Sequence, residues 1–141
     1  MLNDGLKLTG NLKIALNGET VQEVKNLVVT DGKEYVASRM KDATATAMSH
    51  MAIGTDSTAA SASDSALLSE AGRVSLTSTT VTSNEVEYVA TFGAGTGTGA
   101  ITEAGIFNAS SGGTLLCRTV FSVVNKGSSD SMTITWTVTV S

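Results

Sequence analysis

The chain reads as an all-β protein with minor α content: an antiparallel, jelly-roll-like β-sandwich with an N-terminal hairpin arm and one short helix. Three observations carry that reading. The closing run Ser131-Met132-Thr133-Ile134-Thr135-Trp136-Thr137-Val138-Thr139-Val140-Ser141 alternates polar and apolar without an error, the period of a strand with one covered face. Proline is absent from all 141 residues, although about 5% is ordinary usage; a Pro-free chain suits long ladders, because proline removes a donor. Short apolar or alternating runs also recur between polar turns, the spacing of a sandwich.

Element by element, residues 1–30 form a strand or hairpin arm. Leu6 and Leu8 alternate with Lys7 and Thr9, and Leu12, Ile14 and Leu16 with Lys13 and Ala15. Asn17-Gly18 is a type I′ hairpin signal, since both residues tolerate positive φ. The return strand from Glu19 to Thr30 slips in period near Val24, which predicts a bulge or break there. Residues 31–141 are assigned to the sandwich domain. Asp31-Gly32-Lys33-Glu34 resembles a capping box with Asp31 as N-cap, followed by a helix over about 32–41 whose Tyr35, Val36 and Met40 would plug one end of the core.

Met48 to Gly54 reads as one strand and the low-complexity Thr55–Ser65 as a surface loop, with Asp64 capping a turn through Ala66–Glu70. Strands are then expected over Val74–Val81, Val86–Phe92, Ile101–Asn108, Leu115–Val124 and the closing run. Turns are expected at Ser83-Asn84 and Asn125–Asp130. Trp136 falls on the apolar stripe of the last strand and is assigned to the core. The opposite face of that strand is only Ser and Thr.

Composition narrows the function classes. A net charge of −4, with lysines and arginines scattered singly, lacks the basic stripe of a nucleic-acid partner. No run approaches the roughly 20 apolar residues of a membrane span, and the N-terminus has no signal-peptide core, so a soluble chain without a membrane partner is expected. The single cysteine, Cys117, lies in an apolar run and is read as a small buried hydrophobe.

No constellation of catalytic residues emerges, and neither an enzyme nor a cofactor or metal site is expected. His50 is the only histidine; a triad would need Ser49 or a distant serine, oriented by Asp56 or Asp64. One His and one Cys cannot complete a zinc shell. The Gly93–Gly99 run has GxGxGxG spacing, no following lysine, and a strand rather than a helix after it, so it fails as a phosphate loop. It is read as a crossover or as a ribbon lying close to another backbone.

Several strings together resemble a family of small virion structural proteins of tailed bacteriophages: Met51–Thr55, Glu70–Val74, Ile101–Asn108, Gly113–Arg118, and Val124–Gly127 running on to Trp136–Val138. The resemblance covers about residues 48–141. It implies a β-sandwich assembling on a virion, with no catalytic residues to carry over. The expected function is that of a capsid decoration (cement) protein stabilising the head lattice from its outer surface, made in the bacterial host cytoplasm. The expected partners are the major capsid protein and further copies of this chain, with a homotrimer as one closed solution.

Tail fibres usually continue past such a module, so the stop at Ser141 is expected to favour the decoration reading. A tail fibre, collar or baseplate component in host adsorption is the alternative, with the Gly93–Gly99 ribbon and the 55–65 loop as tips. A carbohydrate-binding β-sandwich is the second alternative. The candidate interface residues are Leu6, Leu8, Leu12 and Ile14 on the arm, and Thr133, Thr135, Thr137 and Thr139 on the polar face of the last strand, which is taken as an uncharged edge needing cover.

Overall fold

A computed structural model describes residues 6–41 and 45–141. The described chain is all-β with one helix, in the order β1 (Leu8–Leu16), β2 (Glu19–Val28), α1 (Thr30–Lys41), β3 (His50–Gly54), β4 (Glu70–Ser75), β5 (Ser78–Thr82), β6 (Glu85–Phe92), β7 (Gly99–Phe107), β8 (Leu115–Lys126) and β9 (Met132–Val140). These strands form one curled antiparallel sheet in the order β4-β3-β7-β8-β2-β1-β9-β6-β5. Strand β2 runs beside β1 for most of its length and shares ladder pairs with β8 only at Leu27 and Val28, with side-chain bonds from Gln22 to the Ser122 carbonyl and from Thr119 to the Lys25 carbonyl besides. The sheet bends there, and its two halves close on a shared core that includes Leu12, Ile14, Met51, Ile53, Phe92, Ile106, Ile134 and Trp136.

Of the expected 1–30 arm, residues 1–5 lie outside the described residues and the rest is no arm. β1 pairs with β2 on one side and with β9 from Leu8↔Val140 to Leu16↔Met132 on the other, so residues 8–28 are central strands of the domain. Their turn follows the sequence: Asn17 and Gly18 both have positive φ (51° and 82°), as a type I′ turn requires. The irregularity in the pair lies at Val21, skipped between Ile14↔Gln22 and Ala15↔Thr20, rather than at Val24. Val24 pairs in phase with Leu12. The apparent slip arises because polar Gln22 and Asn26 share the more buried face with Val24 and Val28.

The helix starts two residues earlier than expected. The Val29 carbonyl accepts from Lys33 N–H at 3.1 Å, so Asp31 lies inside the first turn, where its charge meets the positive helix end, and is not the N-cap. Gly32 is buried, and a Cβ there would run into the carbonyl oxygen of Leu116 on β8. That backbone-to-backbone approach seats the helix, with Tyr35 and Val36 packed on the core. Gly32→Ala is expected to lift the helix and cost roughly 1–3 kcal/mol, the range for overpacking, measured by urea denaturation; an unchanged midpoint would show that the contact does not seat α1.

Two further differences concern strand order and continuity. The closing strand β9 is not an edge: it lies between β1 and β6, with Trp136 opposite both Leu12 and Tyr88. The sheet edges are β4 and β5. The expected single strand over Val74–Val81 is divided at Leu76-Thr77, where Leu76 N–H binds the Ser49 carbonyl and Thr77 N–H the Val89 carbonyl. The chain crosses there from one half of the sheet to the other. Among the described residues no helix is long and apolar enough to cross a membrane.

Candidate interaction surfaces and the buried clamp

The eight candidate interface residues fall into three environments. Leu12 and Ile14 are fully buried in the chain's own core, which corrects their assignment to an interface: β1 is a central strand and its inward face is already covered. Leu6 is exposed and Leu8 half-buried; together with Val36 and Met40 they line an open, mostly apolar cleft between α1 and the start of β1. Thr133, Thr135, Thr137 and Thr139 are half-buried on the outer face of β9.

Those threonines form part of a wider polar face. In register across the sheet, Thr137 lies beside Asn11 and Glu87, and Glu87 beside Thr80; Thr139 lies beside Thr9 and Glu85, and Glu85 beside Thr82. Thr133 Oγ1 and Thr91 Oγ1 share a hydrogen bond at 2.9 Å. The face is thus built mainly of hydroxyls, with two carboxylates, the Asn11 amide, and Lys13 and Val89 on either side of Thr135, and its hydroxyls partly satisfy one another.

The strongest electrostatic feature lies on the other half of the sheet. Arg118, on β8, has no exposed side-chain surface. Its Nε donates to Glu103 Oε1 at 3.0 Å, Nη1 to Asp64 Oδ2 at 3.0 Å and Nη2 to the Thr58 carbonyl at 3.1 Å, with Asp56 Oδ1 3.8 Å away. Glu103, on β7, is equally buried and accepts the backbone N–H groups of Asp56, Leu68 and Ser69. Both carboxylate oxygens are therefore satisfied, the condition for holding a buried ion pair.

The pair clamps the segment 55–69 over the outer face of β3, β7 and β8. Beneath that segment a small second cluster, Val29, Ala52, Leu67, Phe107 and Leu115, is packed. The low-complexity segment is thus a fixed cover for a second core. Asp64 binds Ser61 N–H and Arg118, and residues 66–70 form no helical turn. The Asp56 carboxyl is held below the usual range, chiefly by its bonds from Thr58 and further by the Arg118 charge.

Arg73 makes a second clamp: it forms two bonds to Glu70, donates to the carbonyls of Ala109 and Gly112, and lies 3.8 Å over the Phe107 ring. Lys126 is also buried, and its Nζ donates to the Gly93 carbonyl at 2.8 Å, anchoring the start of the Gly93–Gly99 ribbon. The ribbon lies against β4, where a Cβ on Gly72 would stand 3.0 Å from Gly97 N. Its glycines permit close backbone approach, as its spacing implied.

His50 has a hydroxyl on each side, Ser49 Oγ at 2.8 Å from Nδ1 and Ser75 Oγ at 3.4 Å from Nε2. Asp56 and Asp64 are drawn into the Arg118 cluster instead, so neither carboxylate orients the imidazole as a triad requires. Cys117 is fully buried and desolvation raises its thiol pKa well above the usual value, which removes it as a nucleophile at neutral pH. Among the described residues no group of three or more His, Cys, Asp or Glu side chains is placed to hold a metal ion.

At the far end of the sheet the two hairpin turns are tied together. Asn17 Nδ2 donates to Asp130 Oδ1 at 3.0 Å, and Asp130 Oδ2 accepts Gly127 N–H at 2.7 Å. These bonds, that from Asn17 first, hold the Asp130 carboxyl below its ordinary value. A carboxyl depressed in the folded state stabilises the fold above its unfolded pKa of about 3.9, and that contribution is lost as pH falls through the lower folded value. Thermal stability is therefore expected to fall on acidification below about pH 4, and Asp130→Asn to flatten part of that slope; equal slopes for both proteins in melts from pH 6 to pH 2.5 would refute the link.

Compared with protein-family models, curated proteins and solved structures, the chain matches none of them.

Proposed function

We propose that this chain is a structural component of a tailed-bacteriophage particle, a capsid decoration protein that binds the major capsid lattice and stabilises it through contact area. One observation carries the reading. Four of the five strings that resemble such virion proteins occupy adjacent strands: Glu70–Val74 lies in β4, Met51–Thr55 covers most of β3, Ile101–Asn108 runs along β7 to just past its end, and Gly113–Arg118 leads into β8. The fifth, Val124–Gly127 running on to Trp136–Val138, joins the end of β8 to β9. The first four strands are neighbours in the order β4-β3-β7-β8, and Glu103 and Arg118 lie within the strings. The resemblance therefore covers one half-sheet with its ion pair and reaches the other half through β9, a scaffold rather than a set of reactive groups.

The tail reading loses support at its two expected tips. The 55–65 loop is held by Arg118 and Glu103, and the glycine ribbon packs on β4. The carbohydrate reading lacks an aromatic platform in Trp136, which is fully buried. The homotrimer was expected to cover an exposed terminal strand; with β9 paired on both sides, any demand for cover moves to the true edges.

Copy number on purified particles tests the proposal. A decoration protein is expected on the order of hundreds of copies per head, set by lattice symmetry, and retained on tail-less heads. A handful of copies confined to tails overturns it.

A further inference from the structure

We infer that the free edge of β5 is a self-association site, at which two copies of this chain pair antiparallel about a two-fold axis through Thr80. The inference stands on the edge alone and does not depend on where the chain sits in a particle.

The two edges of the sheet are built differently. β4 carries Glu70 and Arg73, is irregular at its pairing with Ile53-Gly54, and is touched by the glycine ribbon at Gly72. Charges, irregularity and cover are the devices that keep an edge strand from pairing with another chain. β5 has none of them. Ser78-Thr79-Thr80-Val81-Thr82 is uncharged, β-branched in four of five positions, regular in its pairing with β6, and exposed at every residue. Val81 shares a sheet face with its partner Val86, which packs against the core, yet Val81 is 70% exposed, because none of the described residues lies beyond it. Such an uncovered apolar side chain beside unpaired backbone is the signature of a strand-addition site.

The register follows from the hairpin. The Ser83-Asn84 turn makes Thr82↔Glu85 the closing pair, and alternation of ladder bonds then turns Ser78, Thr80 and Thr82 toward β6 and the backbone groups of Thr79 and Val81 outward. Pairing cannot extend past Ser78, since Thr77 N–H is given to the Val89 carbonyl, and it ends at Ser83, where φ is +55°. An antiparallel copy centred on Thr80 sets Thr79 against Val81 of the other copy and Val81 against its Thr79, so that all the outward groups are used. Centring on any other residue of β5 uses fewer. The pairing brings no side-chain charge of one β5 against another, and the second copy covers Val81. The occupant is identical in sequence and therefore self-complementary about the axis, an isologous contact.

In this register Thr80 faces its own copy as a non-hydrogen-bonded pair, with Cα atoms about 4.5 Å apart, which a disulfide can span. Thr79 and Thr82 do not face themselves. The 141-residue chain, whose own Cys117 is buried, is expected to form a concentration-dependent dimer in sedimentation velocity. Under mild oxidation Thr80→Cys is expected to become a covalent dimer, while Thr79→Cys and Thr82→Cys remain largely monomeric on non-reducing gels. Val81→Lys, at an exposed position, is expected to keep the melting transition and weaken association at least about tenfold. A chain that stays monomeric at high concentration, a trimer, a dimer indifferent to Val81→Lys, or equal cross-linking at all three positions would overturn the inference.

Discussion

Glu103→Leu is expected to destabilise the fold by about 3–5 kcal/mol, the range for breaking one side of a buried ion pair. Removing this carboxylate strips Arg118 of its fully buried partner. It also leaves the backbone N–H groups of Asp56, Leu68 and Ser69 without their acceptor. Asp64 and Asp56 still face Arg118, but both are nearer solvent and neither bonds those three amides. Glu103→Gln is expected to rescue little, because its NH₂ would confront donors where the carboxylate had an acceptor. Loss of the clamp should also release the 55–69 cover from Leu67 and Phe107, giving new proteolytic cuts within it. Glu70→Ala is the natural comparison: its bridge to Arg73 is partly exposed, and about 1 kcal/mol or less is expected. Urea denaturation with limited proteolysis decides the matter; a Glu103→Leu loss as small as that of Glu70→Ala, with the cover still resistant, would show that the clamp does not hold the segment.

Why this pair escaped sequence reading is instructive. β7 is buried on both faces, its inner side against the main core and its outer side under the 55–69 segment. A strand covered on both sides loses its alternation, so Ile101-Thr102-Glu103-Ala104-Gly105-Ile106-Phe107 shows no face on which the charge looks misplaced. The available signal was the charge itself, an acid inside one apolar run and an arginine inside another fifteen residues later. Strand pairing places Arg118 opposite Gly105, two residues from Glu103, and no local pattern states that pairing.

Elements governed by local chemistry were legible: the Asn17-Gly18 turn, the Ser83-Asn84 turn, the bounds of β6 and β9, and the burial of Cys117 and Trp136. Neighbour relations were not. The alternation of residues 131–141 records which face is covered; it contains nothing about which strands lie on either side. For that reason β9 read as an edge, residues 1–30 read as an arm, and Leu12 and Ile14 read as interface. The break at Leu76-Thr77 was hidden for a related reason: Thr77–Thr80 is polar throughout, so nothing in the crossing marks the phase change by which Val81, in an unbroken strand, would fall on the opposite face from Val74 and Leu76.

The central position of β9 makes Trp136 the second site of large effect. It is the only tryptophan and heads the fully buried side chains by volume, with Leu12 and Tyr88 opposite it on the flanking strands. Trp136→Ala is expected to cost about 3–5 kcal/mol, transfer and cavity terms together, because paired strands on both sides cannot collapse into the space. The indole Nε1 is buried and has no hydrogen-bond partner among the described residues, so the native residue already carries the cost of an unsatisfied donor. Trp136→Phe removes that donor while keeping most of the ring, and is expected to lose less than half as much as the alanine variant. Far-UV circular dichroism in urea gives both values without relying on the indole being replaced. Equal losses for Phe and Ala would mean that the volume of the full indole, rather than a filled aromatic site, is what the two half-sheets close upon.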